Sequence, residues 1–417
     1  MADRSKHYQL ASLFALRSPR WPVVAIGVVA AAIAGAAAAA SDGLGHTQPA
    51  QSSRGVPAAL NRGTSGRRLS HAPVSLLHRL SLAQLAGQRI VYAYSGLTPP
   101  QSLLARVRAG EAAGVIFFAP NFSSEGQLRA VIGELQSANA SSPVHEPLLM
   151  LTDQEGGLVR RLPGAPTLSE KQIGASPRGT TLAAQAGTGA GNNLRAVGIT
   201  VNLAPVLDIF RAPGDFIDQY QRSYGSNSTV VARLAGSFIS AQQHAGVAAT
   251  AKHFPGLGAA TTNQNTDSGP VTLPVSPNEL RATDEAPYRA AIAAGVKLVM
   301  VSWATYPALD PRLPAGLSSA VIHGELRGRL GFRGVTITDG LGAGALTPFG
   351  GFAQRGVLAA HAGADLLLCS TQNVKDNSPA NGIAALSGLA GALANHQLSR
   401  PYAELAAARV IQFRSSQ

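Results

Sequence analysis

The sequence predicts an α/β protein built as a single (β/α)8 TIM-type barrel. Short apolar runs with the composition of buried strands alternate with segments of helical spacing from about Leu80 to the C-terminus. Eight such runs occur, which is the number that closes a parallel barrel. Several of the later runs end in polar or charged side chains, as strands do at the carboxyl face of such barrels. An open doubly wound sheet is the alternative.

The predicted strands follow one another in a regular order. They span residues 89–94, 114–118, 147–152, 199–207, 247–251, 297–302, 334–338 and 364–368. Helical spacing between them covers residues 101–113, 127–138, 230–244, 278–294 and 318–330. A glycine-rich stretch at 187–191 lies inside a helical segment. It is therefore a poor match to a dinucleotide-binding loop, which follows a strand.

The N-terminal 78 residues predict an export signal and a linker. Four Lys/Arg residues within 1–22 precede the uncharged, Ala-rich segment 23–40, which predicts a signal peptide cleaved near Ala40 or a membrane anchor. Residues 41–78 are rich in Ser, Gly, Pro, Ala and Arg and predict a flexible linker. We therefore expect one barrel domain at 79–417 in an extracytoplasmic protein, secreted or tethered to the membrane through residues 23–40.

Charge and cysteine content argue against several classes of function. The formal charge is +12, but residues 1–82 hold nine Lys/Arg against two Asp, which leaves +5 for the remainder. This small positive charge argues against a nucleic-acid partner, as does the lack of a basic cluster interleaved with aromatic residues. Cys369 is the single cysteine, so an internal disulfide and a cysteine-built metal site are excluded. No metal-ligand spacing such as HExxH occurs, and we expect no metal or organic cofactor.

Polar side chains fall at the ends of five consecutive predicted strands. The third to the seventh strands deliver, in order, Asp153 with Glu155, Asp208, Lys252 with His253, Ser302 with Trp303, and Asp339. Carboxylates and cations would bind sugar hydroxyls, and an aromatic ring offers a flat surface to a sugar ring. Glu155 and Asp208 fit a purely structural hydrogen-bonding role equally well.

Six segments resemble a known family in the expected order. They are TDQEGGLVRRL (152–162), NLAPVLDI (202–209), RSYG (222–225), AKHFPGLG (251–258), VMVSWATYPALDP (299–311) and GVTITDGL (334–341). The chain from Leu80 onward thereby resembles glycoside hydrolase family 3, in particular the single-domain β-N-acetylhexosaminidases that trim peptidoglycan fragments.

The resemblance implies a role for each matching residue. Asp339 would be the nucleophile of a retaining mechanism, and nearby cations such as Lys252 and Arg222 would favour its ionised form. The residues implied to hold the sugar are Asp153, Arg161, Arg222, Lys252 and His253, with Trp303 as the aromatic candidate. For Lys252 and His253, a buried ion pair and a core histidine are the structural alternative.

The chain departs from the family pattern at the general acid/base. The family motif reads DSH, whereas this chain has Asp267, Ser268 and Gly269. Leu257, Trp303 and Gly340 also stand at positions where the family commonly has polar residues. Asp267 could itself act as the acid/base if burial raises its pKa. The alternative is that Asp267 and Ser268 only form a turn or a helix cap.

Two functions of different class remain open. The first is a secreted glycoside hydrolase that cleaves β-linked N-acetylglucosamine or related β-glycosides in cell-wall fragments. The second is a weak or inactive homologue that binds cell-wall saccharides, which the missing histidine favours. A transferase or phosphorylase on the same scaffold is a third, less favoured reading.

Overall fold

Eight parallel strands close into a barrel in the structure, a computed structural model that describes residues 72–417. The strands in chain order are β1 Ile90–Tyr92, β2 Gly114–Ile116, β3 Leu149–Thr152, β4 Gln154–Gly156, β5 Val159–Arg160, β6 Val201–Asn202, β7 Ala248–Phe254, β8 Leu298–Val301, β9 Val335–Thr338 and β10 Leu367–Leu368. The barrel order is β10-β1-β2-β3-β6-β7-β8-β9, while β4 and β5 form a separate antiparallel hairpin. A parallel bridge between Ile337 and Leu366 joins the two ends of the sheet. The predicted barrel is therefore confirmed, and the open sheet is excluded.

Helices surround the barrel. The α-helices are α1 Ala72–Arg79, α2 Leu82–Gly87, α3 Gln101–Arg108, α4 Glu125–Ala140, α5 Glu170–Gly174, α6 Gly179–Ala196, α7 Phe216–Gln219, α8 Ser228–His244, α9 Pro277–Glu279, α10 Ala286–Ala293, α11 Phe352–Ala362, α12 Pro379–Ala394 and α13 Arg400–Arg414. Shorter 3-10 segments are Ala119–Asn121, Ala315–Leu317, Gly344–Phe349 and Val374–Asp376, and π-helical segments are Leu280–Asp284 and Ala320–Arg329.

All eight barrel strands differ in length from their predicted ranges, and two of the differences affect the placement of predicted site residues. The fourth was expected over 199–207, but β6 contains only Val201 and Asn202. Pro205 lacks the N–H that a continuing ladder needs, and beyond it pairing is limited to a bridge between Val206 and Lys252. The fifth was expected to end at 251, whereas β7 continues to Phe254 and includes Lys252 and His253. Both side chains are therefore carried by the barrel wall.

The N-terminal predictions lie mostly outside the described residues. The apolar segment 23–40 and residues 41–71 of the expected linker belong to that part of the chain. Helix α1 occupies the end of the expected linker, and Leu77 and Leu80 contribute to the hydrophobic core. Within 72–417, no helix is both long enough and apolar enough to span a membrane.

The core has two layers because side chains alternate along each strand. Val91, Leu149, Leu151, Met300 and Ile337 belong to a small cluster shared by the strands. Their strand neighbours, such as Ile90, Met150 and Val299, belong to a larger cluster that packs the strands against the helices. The barrel interior is thus filled by side chains, and a ligand site must lie at one of its ends.

Glycines allow α6 and α8 to pack closely. A Cβ added at Gly187 would lie 2.3 Å from the carbonyl oxygen of Phe238, and one at Gly191 would lie 2.5 Å from Cβ of Ala245. The glycine-rich stretch 187–191 therefore serves helix packing. Gly236, in α8, has open space around the corresponding position.

We expect Gly187→Ala to destabilise the protein, by about 1–3 kcal/mol, because the added methyl group forces the two helices apart. Gly236→Ala is the matched control and should be neutral or stabilising by up to about 1 kcal/mol, since alanine favours a helix interior. Urea unfolding of both variants measures the difference. Equal stability of the two variants would contradict the packing explanation.

Candidate active site

A cleft lies at the carboxyl ends of the barrel strands. Seven of the eight predicted site residues line it, namely Asp153, Arg161, Arg222, Lys252, His253, Asp267 and Asp339. Its apolar wall includes Phe118, Leu203 and Met300, and further polar groups come from Ser370, Thr371 and Gln372. Trp303 is not among the lining residues.

The turn after β3 brings Asp153 and Arg161 together. Asp153 follows β3 directly, and the β4–β5 hairpin returns the chain so that the Arg161 backbone N–H donates to the Asp153 carbonyl at 3.2 Å. The Arg161 Nε lies 3.8 Å from Asp153 Oδ2, and its guanidinium lies 5.9 Å from the centre of the Phe118 ring. The turn needs Gly156 and Gly157, whose φ angles are 113° and 51°.

Four charged side chains at the base of the cleft, all mostly buried, neutralise one another. Lys252 Nζ lies 2.8 Å from Asp153 Oδ1 and 2.7 Å from Glu155 Oε1. Arg222 forms a bidentate pair with Glu155, with Nε and Nη2 each 2.9 Å from a carboxylate oxygen. Only 2% of the Lys252 and Glu155 side chains is exposed. An unpaired charge at this depth would be very costly, so the pairing keeps all four groups ionised.

The pKa shifts follow from this pairing. Burial alone raises the pKa of Glu155, but Arg222 and Lys252 outweigh burial and hold that pKa well below its usual range. Burial alone lowers the pKa of Lys252, but Asp153 and Glu155 outweigh it, and the Lys252 pKa is raised. Burial likewise opposes ionisation of Asp153, and Lys252 and Arg161 reverse the effect, so its pKa is lowered. Glu155 does not line the cleft; it orients the two cations that do.

Asp208 orients His253 from behind. Its Oδ2 lies 2.7 Å from His253 Nδ1, and its Oδ1 accepts from the backbone N–H groups of His253 at 3.2 Å and of Leu257 at 2.7 Å. Asp208 is completely buried. With Nδ1–H donated to Asp208, Nε2 is the ring nitrogen left for a ligand. Of the two readings of Asp208, the structure supports the structural one.

Asp339 lies at the mouth of the barrel, and Trp303 lies behind it. Asp339 follows β9 directly, and its Oδ1 accepts from the Gly340 N–H at 2.7 Å. The Trp303 indole is 1% exposed and donates from Nε1 to the Gly340 carbonyl at 2.9 Å. A Cβ added at Gly316 would overlap its ring. Trp303 was expected to present its ring to a sugar, but tight packing separates the ring from the cleft. Its indole instead supports the chain segment after Asp339.

The loop that carries Asp267 is fastened to the segment after Asp339. The carbonyl oxygens of Thr266 and Asp267 accept from the N–H groups of Ala345 at 2.9 Å and of Gly344 at 2.8 Å. A Cβ added at Gly344 would lie 2.6 Å from the Asp267 carbonyl oxygen, so only glycine allows this approach. The turn itself is closed by Asn265, whose Oδ1 accepts from the Asp267 N–H at 2.8 Å. The Asp267 carboxyl is thereby left to face the cleft.

The cleft keeps Asp267 harder to ionise than an ordinary aspartate. Burial, and then the charge of Asp339, raise the pKa of Asp267 to about 6, against the opposing effect of Arg222 and His253. A carboxyl group with this pKa exchanges a proton readily between pH 5 and 7. Chemically, the cleft combines a proton-exchanging acid, a second carboxylate and a cluster of hydrogen-bonding groups. Among residues 72–417 no group of three or more His, Cys, Asp or Glu side chains forms a metal site.

Sequence reasoning missed two parts of the cleft. Ser370, Thr371 and Gln372 follow the eighth predicted strand with only Cys369 between, so the rule applied to the third to seventh strands would have found them. Phe118 ended the second predicted strand, and an apolar residue there gives no signal of exposure to a cleft. The short helix α5, which starts with buried Glu170, was also not predicted.

A barrel with two carboxyl groups and a cluster of hydrogen-bonding charges at its carboxyl face has the arrangement typical of barrel-type glycosidases. Residues 81–413 match the model of the glycosyl hydrolase family 3 N-terminal domain. The chain therefore belongs to glycoside hydrolase family 3, and it is a glycosidase.

Known proteins similar to this chain include both fungal and bacterial members. An uncharacterized secreted glycosyl hydrolase of Arthroderma benhamiae is 48% identical over 296 residues, covering 70% of this chain and 83% of the relative. A beta-hexosaminidase of Thioalkalivibrio sulfidiphilus is 37% identical, covering 64% and 75%. A β-N-acetylglucosaminidase structure from a Paenibacillus species superposes with a TM-score of 0.74 at 36% identity, covering 81% of this chain and 63% of that longer one. The chain thus spans less than two thirds of the Paenibacillus protein.

We expect Glu155→Gln to cost about 3–5 kcal/mol of stability at pH 7, because it leaves Lys252 and Arg222 with one buried carboxylate instead of two. The lowered pKa of Glu155 means that its contribution is present above its unfolded pKa of about 4.3 and is lost as pH falls towards the folded value. Urea unfolding at pH 7 and at pH 4 should therefore show a smaller difference from wild type at the lower pH.

Glu125→Gln is the control for this substitution. Glu125 is exposed and pairs only with Arg129 in the same helix, so its loss should cost less than about 0.5 kcal/mol. An equally small loss in Glu155→Gln would refute the charge-neutralisation account.

Proposed function

We propose that this protein is a retaining β-glycosidase that releases terminal β-linked N-acetylglucosamine, with Asp339 as nucleophile and Asp267 as general acid/base. The observation that carries the proposal is the pairing of these two carboxyl groups in one cleft. They lie on connected segments, and the pKa of Asp267 is raised to about 6 by burial and by Asp339. A retaining mechanism needs one carboxylate that stays ionised and one carboxyl group that loses and regains a proton.

The proposed reaction has two steps that use the same pair of groups. In the first, an Asp339 oxygen bonds to the anomeric carbon, the glycosidic bond breaks, and the leaving oxygen takes the proton of Asp267. In the second, Asp267, now a carboxylate, accepts a proton from water while that water displaces Asp339 from the anomeric carbon. The sugar leaves with its β configuration retained, and Asp267 is protonated again.

Fixed charges would hold the sugar during both steps. Lys252 and Asp153 present a donor and an acceptor 2.8 Å apart, a spacing suited to neighbouring hydroxyl groups. Arg222 reaches the cleft with its guanidinium locked by Glu155, and Arg161 borders the same side. His253 would add a hydrogen bond through Nε2. Because these groups are oriented before the substrate arrives, little ordering remains for binding.

The choice of sugar and of location rests on the relatives. The Thioalkalivibrio protein is called a beta-hexosaminidase and the Paenibacillus protein a β-N-acetylglucosaminidase, which supports N-acetylglucosamine as the sugar removed. The Arthroderma relative is called secreted, which agrees with the charged and then apolar residues 1–40 of this chain. We therefore propose an extracytoplasmic enzyme acting on cell-wall fragments, released or tethered through residues 23–40.

A second candidate function, saccharide binding with weak or no turnover, is favoured by Gly269 at the position of the family histidine. The other positions where this chain lacks a polar residue of the family pattern give less support to this second function than the sequence suggests. Leu257 and Trp303 are both buried and do not line the cleft, so they remove no polar group from it. Only Gly340 borders the cleft.

Replacing the nucleophile should separate the two candidates. We expect wild type to hydrolyse 4-nitrophenyl N-acetyl-β-glucosaminide faster than the β-glucoside. Asp339→Ala should lower turnover at least about a thousandfold, because alanine cannot form the covalent bond to the anomeric carbon. Circular dichroism and urea unfolding check that the variant folds. A folded wild type that binds N-acetylglucosamine oligomers without hydrolysing either aryl glycoside would identify the binding protein instead.

The acid/base assignment predicts a pH dependence. General acid catalysis requires protonated Asp267, whose population falls as pH rises through about 6. On chitobiose, whose leaving group needs a proton, kcat/KM should therefore decline above that pH. In Asp267→Asn it should be about 10²- to 10⁴-fold lower and lack that decline.

An activated substrate and a neighbouring variant provide the controls. A 2,4-dinitrophenyl glycoside should form the intermediate at a nearly normal rate in Asp267→Asn, and azide should restore turnover. Ser268→Ala changes an exposed side chain in the same loop and should retain the wild-type profile. An unchanged chitobiose profile in Asp267→Asn would mean that another group supplies the proton.

A further inference from the structure

A second cavity, of about 620 Å³, lies at the end of the barrel opposite the cleft. Arg89, which precedes β1, and Gly363, which precedes β10, line it together with residues from the start of α13. The catalytic carboxyl groups follow the carboxyl ends of their strands, whereas this cavity adjoins the amino ends. Its volume is within the range of sites for small organic molecules.

The walls of this cavity are strongly basic. Arg89, Arg327 and Arg409 line it, and so do three histidines, His323, His361 and His396. Among the described residues that line it there is no aspartate or glutamate. Ser319, Ser399 and Gln397 add neutral hydrogen-bonding groups.

One buried aspartate behind the wall accepts hydrogen bonds from all three arginines, from two through its carboxylate and from Arg89 through its backbone carbonyl. Asp365 is completely buried, and its Oδ1 accepts from Arg409 Nε and Nη2 at 2.9 and 2.7 Å. Its Oδ2 accepts from Arg327 Nη2 at 2.5 Å, and its backbone carbonyl accepts from Arg89 Nε at 3.3 Å. A single negative charge therefore faces three positive ones, and about two positive charges at the wall lack a counter-charge.

Three further observations bear on the groups that carry this excess charge. Arg327 is buried, and its Nε has no hydrogen-bond partner among the described residues. Burial, and then the charges of Arg327 and Arg409, lower the pKa of His323. Burial, opposed by Asp365 and reinforced by Arg409, lowers the pKa of Arg89 to about 10. An anion in the cavity would relieve this mutual repulsion.

We propose that the cavity binds a small organic anion with at least two negative charges, a phosphate ester or a polycarboxylate. Its anionic group would lie against the arginine wall, where Arg409 and Arg89 have directional N–H donors. The remainder of the molecule would contact the apolar side of the cavity formed by Leu398, Ala403 and Tyr402, a residue that is 73% exposed. Since the catalytic cleft is at the other end of the barrel, such a ligand and a sugar would bind at the same time.

Titration calorimetry of the full-length protein with citrate and with inorganic phosphate, at constant ionic strength in chloride, tests this proposal. We expect saturable binding by wild type. Arg409→Gln, which leaves Asp365 paired with Arg327, should weaken it about tenfold or more, since it removes a charged hydrogen-bonding group. Gln397→Glu alters only an exposed side chain on the cavity rim and should also weaken binding by adding a negative charge. Whichever probe binds more tightly identifies the class of anion.

Two arginines elsewhere provide matched charge controls. Arg161→Gln removes a cation from the catalytic cleft, and Arg129→Gln removes an exposed one paired with Glu125. Both variants should bind the anion as wild type does. Absence of saturable binding in wild type would overturn the proposal. So would a loss in Arg161→Gln, or binding that both Arg409→Gln and Gln397→Glu retain, because the anion would then occupy another site.

Discussion

The need to neutralise charges that are buried under the cleft shapes the catalytic end of this barrel. Asp153 and Glu155 come from the chain just after β3, Lys252 from β7 and Arg222 from the loop before α8, and where they meet at most 18% of each side chain is exposed. Each group would be too costly to bury alone. Together they lock three stretches of chain that are distant in sequence into one arrangement, and the two cations keep a fixed orientation as a result.

The opposite end of the barrel also buries a carboxylate among cations, but there the positive charges outnumber the negative one. Asp365 is buried among Arg89, Arg327 and Arg409 much as Glu155 is buried between Lys252 and Arg222. Near the cleft two carboxylates accompany two cations directly bonded to them. At the amino end one carboxylate accompanies three guanidinium groups. The same kind of buried acidic centre thus produces a neutral network at one end and a positive wall at the other.

Sequence alone predicted the barrel and most of the cleft, because both depend on patterns that are local along the chain. Apolar runs give the eight strands, and parallel strands bring the residues at their carboxyl ends together, so Asp153, Lys252, His253 and Asp339 could be placed in advance. Arg161, Arg222 and Asp267 lie in loops away from these strand ends. They were found through resemblance to the family, since loop conformation is not encoded in a short local pattern.

The failures concern properties that depend on tertiary contacts. Trp303 follows its strand as a binding residue would, yet packing beside Gly316 and the bond to Gly340 hide its ring. Glu155 and Asp208 had two possible roles, and only their partners in space decided between them. The glycines of α6 were visible as a motif, but their use became clear only when α8 was seen against them.

Fastening the Asp267 loop to Gly344 and Ala345 has a consequence for how ligands pass in and out. The two backbone hydrogen bonds join the loop after β7 to the segment after β9, so both bonds must break before this loop can swing aside as a gate. While both bonds hold, this side of the mouth keeps its shape during substrate entry and product release. The fixed shape of the cleft then selects among saccharides. The time that a product stays bound depends on its contacts with the cleft walls.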